Sequence, residues 1–151
     1  VRFYQLRTRR LEDALPLMLS RCLERGWAAV VRTSSPERVA ALDTHLWTFS
    51  AESFLPHAAP PDPEPEAHPI WLTAGSELPN SPAALFLVDR AEATIEEMRA
   101  REAAAILFDG TDDTALSEAR AQWRAVTAAG LKAVYWAEDG RGGWEKRAES
   151  G

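Results

Sequence analysis

The sequence predicts an α/β fold: one domain with a mainly parallel sheet flanked by helices on both faces. Three observations lead there. Short apolar runs such as WAAVV (27–31), ALFLV (84–88) and AAILF (104–108) have the composition of strands buried on both sides. Between them lie stretches whose apolar residues recur at three-and-four spacing, the period of a helix. Strands that alternate with helices in this way are joined by crossovers and therefore run parallel. The 151 residues amount to one domain.

Residues 2–6 (RFYQL) form a short aromatic-rich first strand. Leu11, Ala14, Leu15, Met18, Leu19 and Cys22 then mark a helix over 11–25, closed by Gly26, with Pro16 expected to bend it or delay its start. After the strand at 27–31, Ser34, Ser35, Pro36 and Glu37 supply a capping hydroxyl, a first-turn proline and an early acid for the next helix. Val39, Leu42, Leu46 and Trp47 are its inner stripe. The proline-rich, acidic stretch 58–69 reads as an extended solvated loop. Strands follow at 69–72 and 84–88, separated by turn residues around Pro79 to Pro82. A short polar helix at 91–101, a strand at 104–108 and a long helix at 112–128 come next. Gly130 closes the long helix. Residues 131–136 make the last expected strand, and Gly140, Gly142 and Gly143 lie in an expected flexible tail from about 138.

Composition narrows the function. Charged residues make up 26% and hydrophobic ones 46%, which suits a globular domain and excludes a disordered or coiled-coil chain. The run 83–88 ends at Asp89, far short of a bilayer span. Arg9, Arg10, Glu12 and Asp13 break any early apolar segment, so a cytoplasmic protein is expected. One cysteine, Cys22, allows no internal disulfide and reads as a small buried hydrophobe. The net charge of −6 argues against a general nucleic-acid coat.

Nucleotide chemistry finds no support, because neither GxGxxG nor GxxxxGK[ST] occurs. Asp109, Asp112 and Asp113 lie at the carboxyl end of a strand, where α/β folds place sites. They could hold Mg²⁺ in a phosphoryl-transfer enzyme, which is the alternative function. Followed by a long helix, they fit a turn and an acidic helix cap better. His45, His57 and His68 lack zinc-site spacing, and Ser53 shows no sign of a nucleophile elbow. No cofactor is expected.

Tryptophan is unusually frequent, with six in the chain. Trp123 lies between Arg120 and Arg124, which share a helix face. Two guanidiniums beside an indole on an acidic protein suit an acidic peptide with an apolar end; the spacing equally allows Trp123 as a core residue with the arginines on a solvated face.

Several segments together resemble the chi subunit of the bacterial DNA polymerase III holoenzyme. They are Phe3-Tyr4, Leu42-Asp43-Thr44-His45-Leu46-Trp47, Glu52-Ser53-Phe54-Leu55-Pro56-His57 and Pro69-Ile70-Trp71, then Ala119-Arg120-Ala121-Gln122-Trp123-Arg124 leading to Gly130, and Gly143-Trp144-Glu145-Lys146. The resemblance is collinear over essentially the whole chain. It implies a Rossmann-like fold and a non-catalytic adaptor, with DNA contacted only indirectly. It also implies two partners, the psi subunit of the clamp-loader complex and the acidic C-terminal tail of single-stranded DNA-binding protein. The tail site carries onto Arg120, Trp123 and Arg124, and the psi surface onto Trp47, Phe54, Pro56 and His57. Two departures stand out. Trp123 replaces a familiar Tyr, and a further basic position aligns with Leu116, leaving Lys132 as the candidate to replace that charge.

Overall fold

The computed structural model describes residues 1–48 and 55–150. Its elements are β1 (Arg2–Leu6), α1 (Leu11–Glu24), β2 (Ala29–Arg32), α2 (Pro36–Thr48), β3 (His57–Ala58), a 3-10 turn (Pro65–Ala67), β4 (Ile70–Thr73) and β5 (Ala84–Leu87), followed by α3 (Ile95–Arg99), β6 (Ala103–Asp109), α4 (Asp113–Ala128), β7 (Ala133–Glu138) and β8 (Trp144–Ser150). The strands form one sheet in the order β3-β4-β2-β5-β6-β1-β7-β8. All its pairings are parallel except that of β7 with β8. Among the described residues no helix is long and apolar enough to cross a membrane.

Side-chain alternation along the strands divides the core into two layers. Leu6, Val31, Ile70, Leu72 and Phe86 meet Leu15 and Leu19 of α1 and Leu42 and Leu46 of α2. Phe3, Val30, Trp71, Leu85 and Ile106 face the other way, onto Met98 of α3 and Ala115, Ala119 and Val126 of α4. The expected α/β architecture, with helices on both faces, is the observed one.

Helix ends follow local chemistry. Ser35 Oγ accepts the Arg38 N–H at the start of α2. Gly26 and Gly130, at φ +73° and +81°, end α1 and α4. In both cases the next residue's N–H reaches back, Trp27 to Cys22 and Leu131 to Val126.

Pro16 does not delay α1, which begins at Leu11 and carries the proline inside it. A proline cannot donate to the carbonyl four residues earlier. That carbonyl, on Glu12, instead lies 2.6 Å from His45 Nε2 of α2, which donates to it. The missing helical bond thus becomes a tie between two helices. We expect His45→Ala to cost about 1 kcal/mol. In a Pro16→Ala background the residue-16 N–H can serve Glu12, so the cost of His45→Ala should shrink. Urea unfolding of the four variants checks this, and equal costs in both backgrounds would count against it.

Three further expectations need correction. The tail expected from about 138 is a hairpin. Gly140 and Gly142 take φ +78° and +84°, the Asp139 carboxylate accepts the Arg141 and Gly143 N–H groups at 2.7 and 3.0 Å, and β8 returns along β7. The polar helix expected at 91–101 shrinks to α3, which starts only after Thr94 forms a capping box with Glu97. The stretch 58–69 is not entirely loop, because Ala58 pairs with Trp71 in β3 and residues 65–67 make the 3-10 turn.

Candidate functional site

α4 fixes the first group of candidate residues. Its Ala115, Ala119 and Val126 are buried, which turns Arg120 and Arg124 outward to solvent. Trp123 is partly buried on the flank that faces β1 and β7. Its ring meets Phe3 edge-on at 5.4 Å and Tyr135 at 6.1 Å. Such pairs contribute roughly 0.5–1.5 kcal/mol each beyond burial, so the indole is a rigid wall.

The Tyr135 hydroxyl donates to Gln5 Oε1. Burial pushes the Tyr135 hydroxyl's pKa up, against the pull of Arg120, Arg147 and Arg7. Positive charge from three separate segments thus acts on Tyr135. Among the described residues neither Arg120 nor Arg124 pairs with a carboxylate. Their charge is available to a ligand.

Lys132 is placed differently. Its ammonium lies 3.5 Å from Glu149, which also pairs with Lys146 at 2.9 Å. Both lysines hold the Glu149 carboxyl below its ordinary pKa, Lys146 more strongly. Part of the Lys132 charge is already compensated. Arg147, paired with Glu145 at 3.4 Å on the open surface much as Lys132 is with Glu149, and Arg7 bring charge near Tyr135 that the sequence reading missed. Arg147 lies in the stretch read as a tail, and Arg7 sits at the opposite end of the chain. No spacing rule connects either of them to α4.

Of the second group, Phe54 lies outside the described residues. Trp47, expected in the inner stripe of α2, instead lies 49% exposed, because the buried face of the helix is Val39, Leu42 and Leu46; its ring centroid is 4.2 Å from that of His57. His57 itself is buried. Its Nδ1 faces the Leu55 carbonyl at 2.6 Å, and its Nε2 faces the Asp43 carbonyl at 3.2 Å and carboxylate at 3.1 Å. Its role is thus to clamp the segment after α2 onto α2 and to support the Trp47 ring. Pro56, partly buried, adjoins that clamp.

The acidic cluster is occupied by local structure. Asp109 accepts the Thr111 hydroxyl at 2.6 Å and its N–H at 2.9 Å, which together lower its pKa. Asp112 caps α4 through the Thr114 and Ala115 N–H groups. Among the described residues no three His, Cys, Asp or Glu side chains are grouped to hold a metal ion. Nothing in this arrangement supports a Mg²⁺ enzyme built on Asp109, Asp112 and Asp113.

Residues 1–134 match the family model described as DNA polymerase III chi subunit, HolC. That stretch includes Trp47, all of α4 and Lys132, and stops inside β7, before Arg147. The chain is also similar to the probable DNA polymerase III subunit chi of Rickettsia prowazekii (strain Madrid E), at 28% identity over 75 residues. That stretch covers 50% of this chain and 46% of the Rickettsia protein, less than half of that relative's length.

Proposed function

Because the chain belongs to the DNA polymerase III chi subunit family, whose members are accessory and non-catalytic, we propose that it is a replisome adaptor binding the acidic C-terminal tail of single-stranded DNA-binding protein. Through the psi subunit it would link that tail to the clamp-loader complex. The observation that carries this reading is the pair of uncompensated guanidiniums, Arg120 and Arg124, flanking the Trp123 wall on a protein of net charge −6. Guanidinium forks pair with carboxylates, and the indole offers apolar surface to a terminal Phe. Lys132 contributes less, since Glu149 competes for it.

Contact with DNA would be indirect. The excess of acid repels phosphates, and the exposed aromatic and basic residues do not form a long interleaved stripe for stacking bases. As a subunit working at the replication fork, the protein would act in the cytoplasm.

The direct test is capture from lysate with immobilised chain, using intact single-stranded DNA-binding protein and a version lacking its last residues. Retention of both forms alike would refute the tail reading.

The psi surface is proposed around Trp47, Phe54, Pro56 and His57. Trp47 offers a large half-exposed ring over a rigid support, the character of an interface hot spot. Trp47→Ala should weaken a psi partner by about 2 kcal/mol, roughly 30-fold, with only a small change in Tm. A large Tm drop with unchanged partner affinity would make Trp47 a core residue instead.

A further inference from the structure

On the sheet face opposite α4, a cavity of about 110 Å³ opens beside α1 at the amino-terminal ends of β1, β5 and β6. Tyr4, Met18, Trp27 and Phe86 give it apolar walls, and Arg2, Arg21 and Arg25 stand around it. Its volume approaches that of the roughly 150 Å³ apolar cavity that admits benzene.

The arginines are the informative part. Among the described residues none of the three makes an ion pair, although Asp and Glu outnumber Lys and Arg by 23 to 17. Arg21 lies in the last turn of α1, where the helix dipole favours a cation. That reason does not extend to Arg2, which belongs to β1. Arg25 is held 4.9 Å above the Trp27 ring. Arg2, Arg25 and Cys22 all line the cavity, and burial pushes the Cys22 thiol's pKa up while both guanidiniums pull it down.

We propose that this cavity is a second binding site, for an aromatic ring bearing a carboxylate on a short aliphatic arm, with the ring between Met18 and Phe86 and the carboxylate among Arg2, Arg21 and Arg25. The site is separate from α4 and does not depend on the tail reading. The same chemistry is presented by a free aromatic acid and by the C-terminal aromatic residue of a peptide.

The two methionines provide the readout. Met18 lines the cavity, whereas Met98 is buried in the opposite layer. With ¹³C-methyl methionine in the intact chain, N-acetyl-phenylalanine should shift the Met18 signal and leave Met98 in place. N-acetyl-phenylalaninamide, which keeps the ring without the charge, should bind at least about tenfold more weakly. Arg2→Gln and Arg21→Gln should each weaken the acid about fivefold, as expected for a partly exposed ion pair. Phenylacetate and an acetylated tripeptide ending in Phe separate the two sources: tighter binding of the first assigns a small acid, and of the second a chain end. Arg120→Ala should leave the Met18 response unchanged. A Met18 signal unmoved by every acid, an amide that binds as tightly as the acid, or a response lost in Arg120→Ala would overturn the proposal.

Discussion

Arg120→Ala should weaken binding of an acidic peptide ending in Pro-Phe at least tenfold, equivalent to ~1.4 kcal/mol. Arg120 lies on α4, its charge acts on Tyr135 together with that of Arg147 and Arg7, and among the described residues no carboxylate pairs with Arg120 itself. Truncating one partner of a desolvated charge pair costs about 2–5 kcal/mol and a rim pair far less, so a tenfold loss is a floor for a site that is partly walled. Arg124→Ala should do less, because it lies a turn farther along α4 from that convergence. Arg147→Ala and Lys132→Ala should each weaken the peptide less than Arg120→Ala, because Glu145 and Glu149 already engage them. Raising salt should reduce wild-type affinity more than that of Arg120→Ala, since one ion pair fewer remains to be screened. Fluorescence titration at two salt concentrations measures all of these. Unchanged affinity in an Arg120→Ala, Arg124→Ala double variant would remove the site.

The largest effect on stability should come from Glu97→Ala. Arg32 sits in β2 with its side chain only 6% exposed, and both its terminal nitrogens donate to Glu97, at 2.8 and 3.2 Å. The Glu92 and Ser76 carbonyls take further bonds from the same fork. Removing the carboxylate leaves a buried guanidinium without its counter-charge, which costs roughly 3–5 kcal/mol. The bond from Arg32, helped by the Thr94 N–H, holds the Glu97 carboxyl at about 2 rather than the ordinary 4.5. A lowered carboxylate pKa stabilises the fold above its unfolded value and loses that contribution as the proton returns. The gap between wild type and Glu97→Ala should therefore be full at neutral pH and narrow as pH falls from about 4.5 toward 2. Urea midpoints across that range test it, and a gap that does not change with pH would break the assignment.

Much of this was open to reading in the linear chain. The runs at 84–88 and 104–108 are hydrophobic on both faces, which only a covered parallel strand tolerates, and they became β5 and β6. The long helix was visible from the acids that cap it and from the glycine that ends it. Arg120, Trp123 and Arg124 could be placed together because helical spacing fixes which side chains are neighbours. The resemblance to chi subunits rested on short blocks in order, and the family match bears it out.

The errors have physical causes as well. Asp139-Gly140 was a hairpin signal, yet β8 reads WEKRAES, a charged segment with no apolar alternation. Its place in the sheet comes from hairpin pairing with β7 and from Trp144 packing on Tyr4 at 5.2 Å, and the second contact joins distant parts of the chain. His45 looked like a surface histidine because the Glu12 carbonyl that needs it is a backbone group freed by Pro16, far away in sequence. Local sequence alone thus determined what depends on neighbours within a few residues: strand and helix identity, caps, the chi-like blocks and the α4 face. Tertiary structure decided which distant charges meet, because ion pairing and screening depend on distance in space. It brought Arg147 and Arg7, like Arg120, within electrostatic reach of Tyr135, turned Lys132 toward Glu149, and left Arg2, Arg21 and Arg25 around a cavity without an ion pair among the described residues.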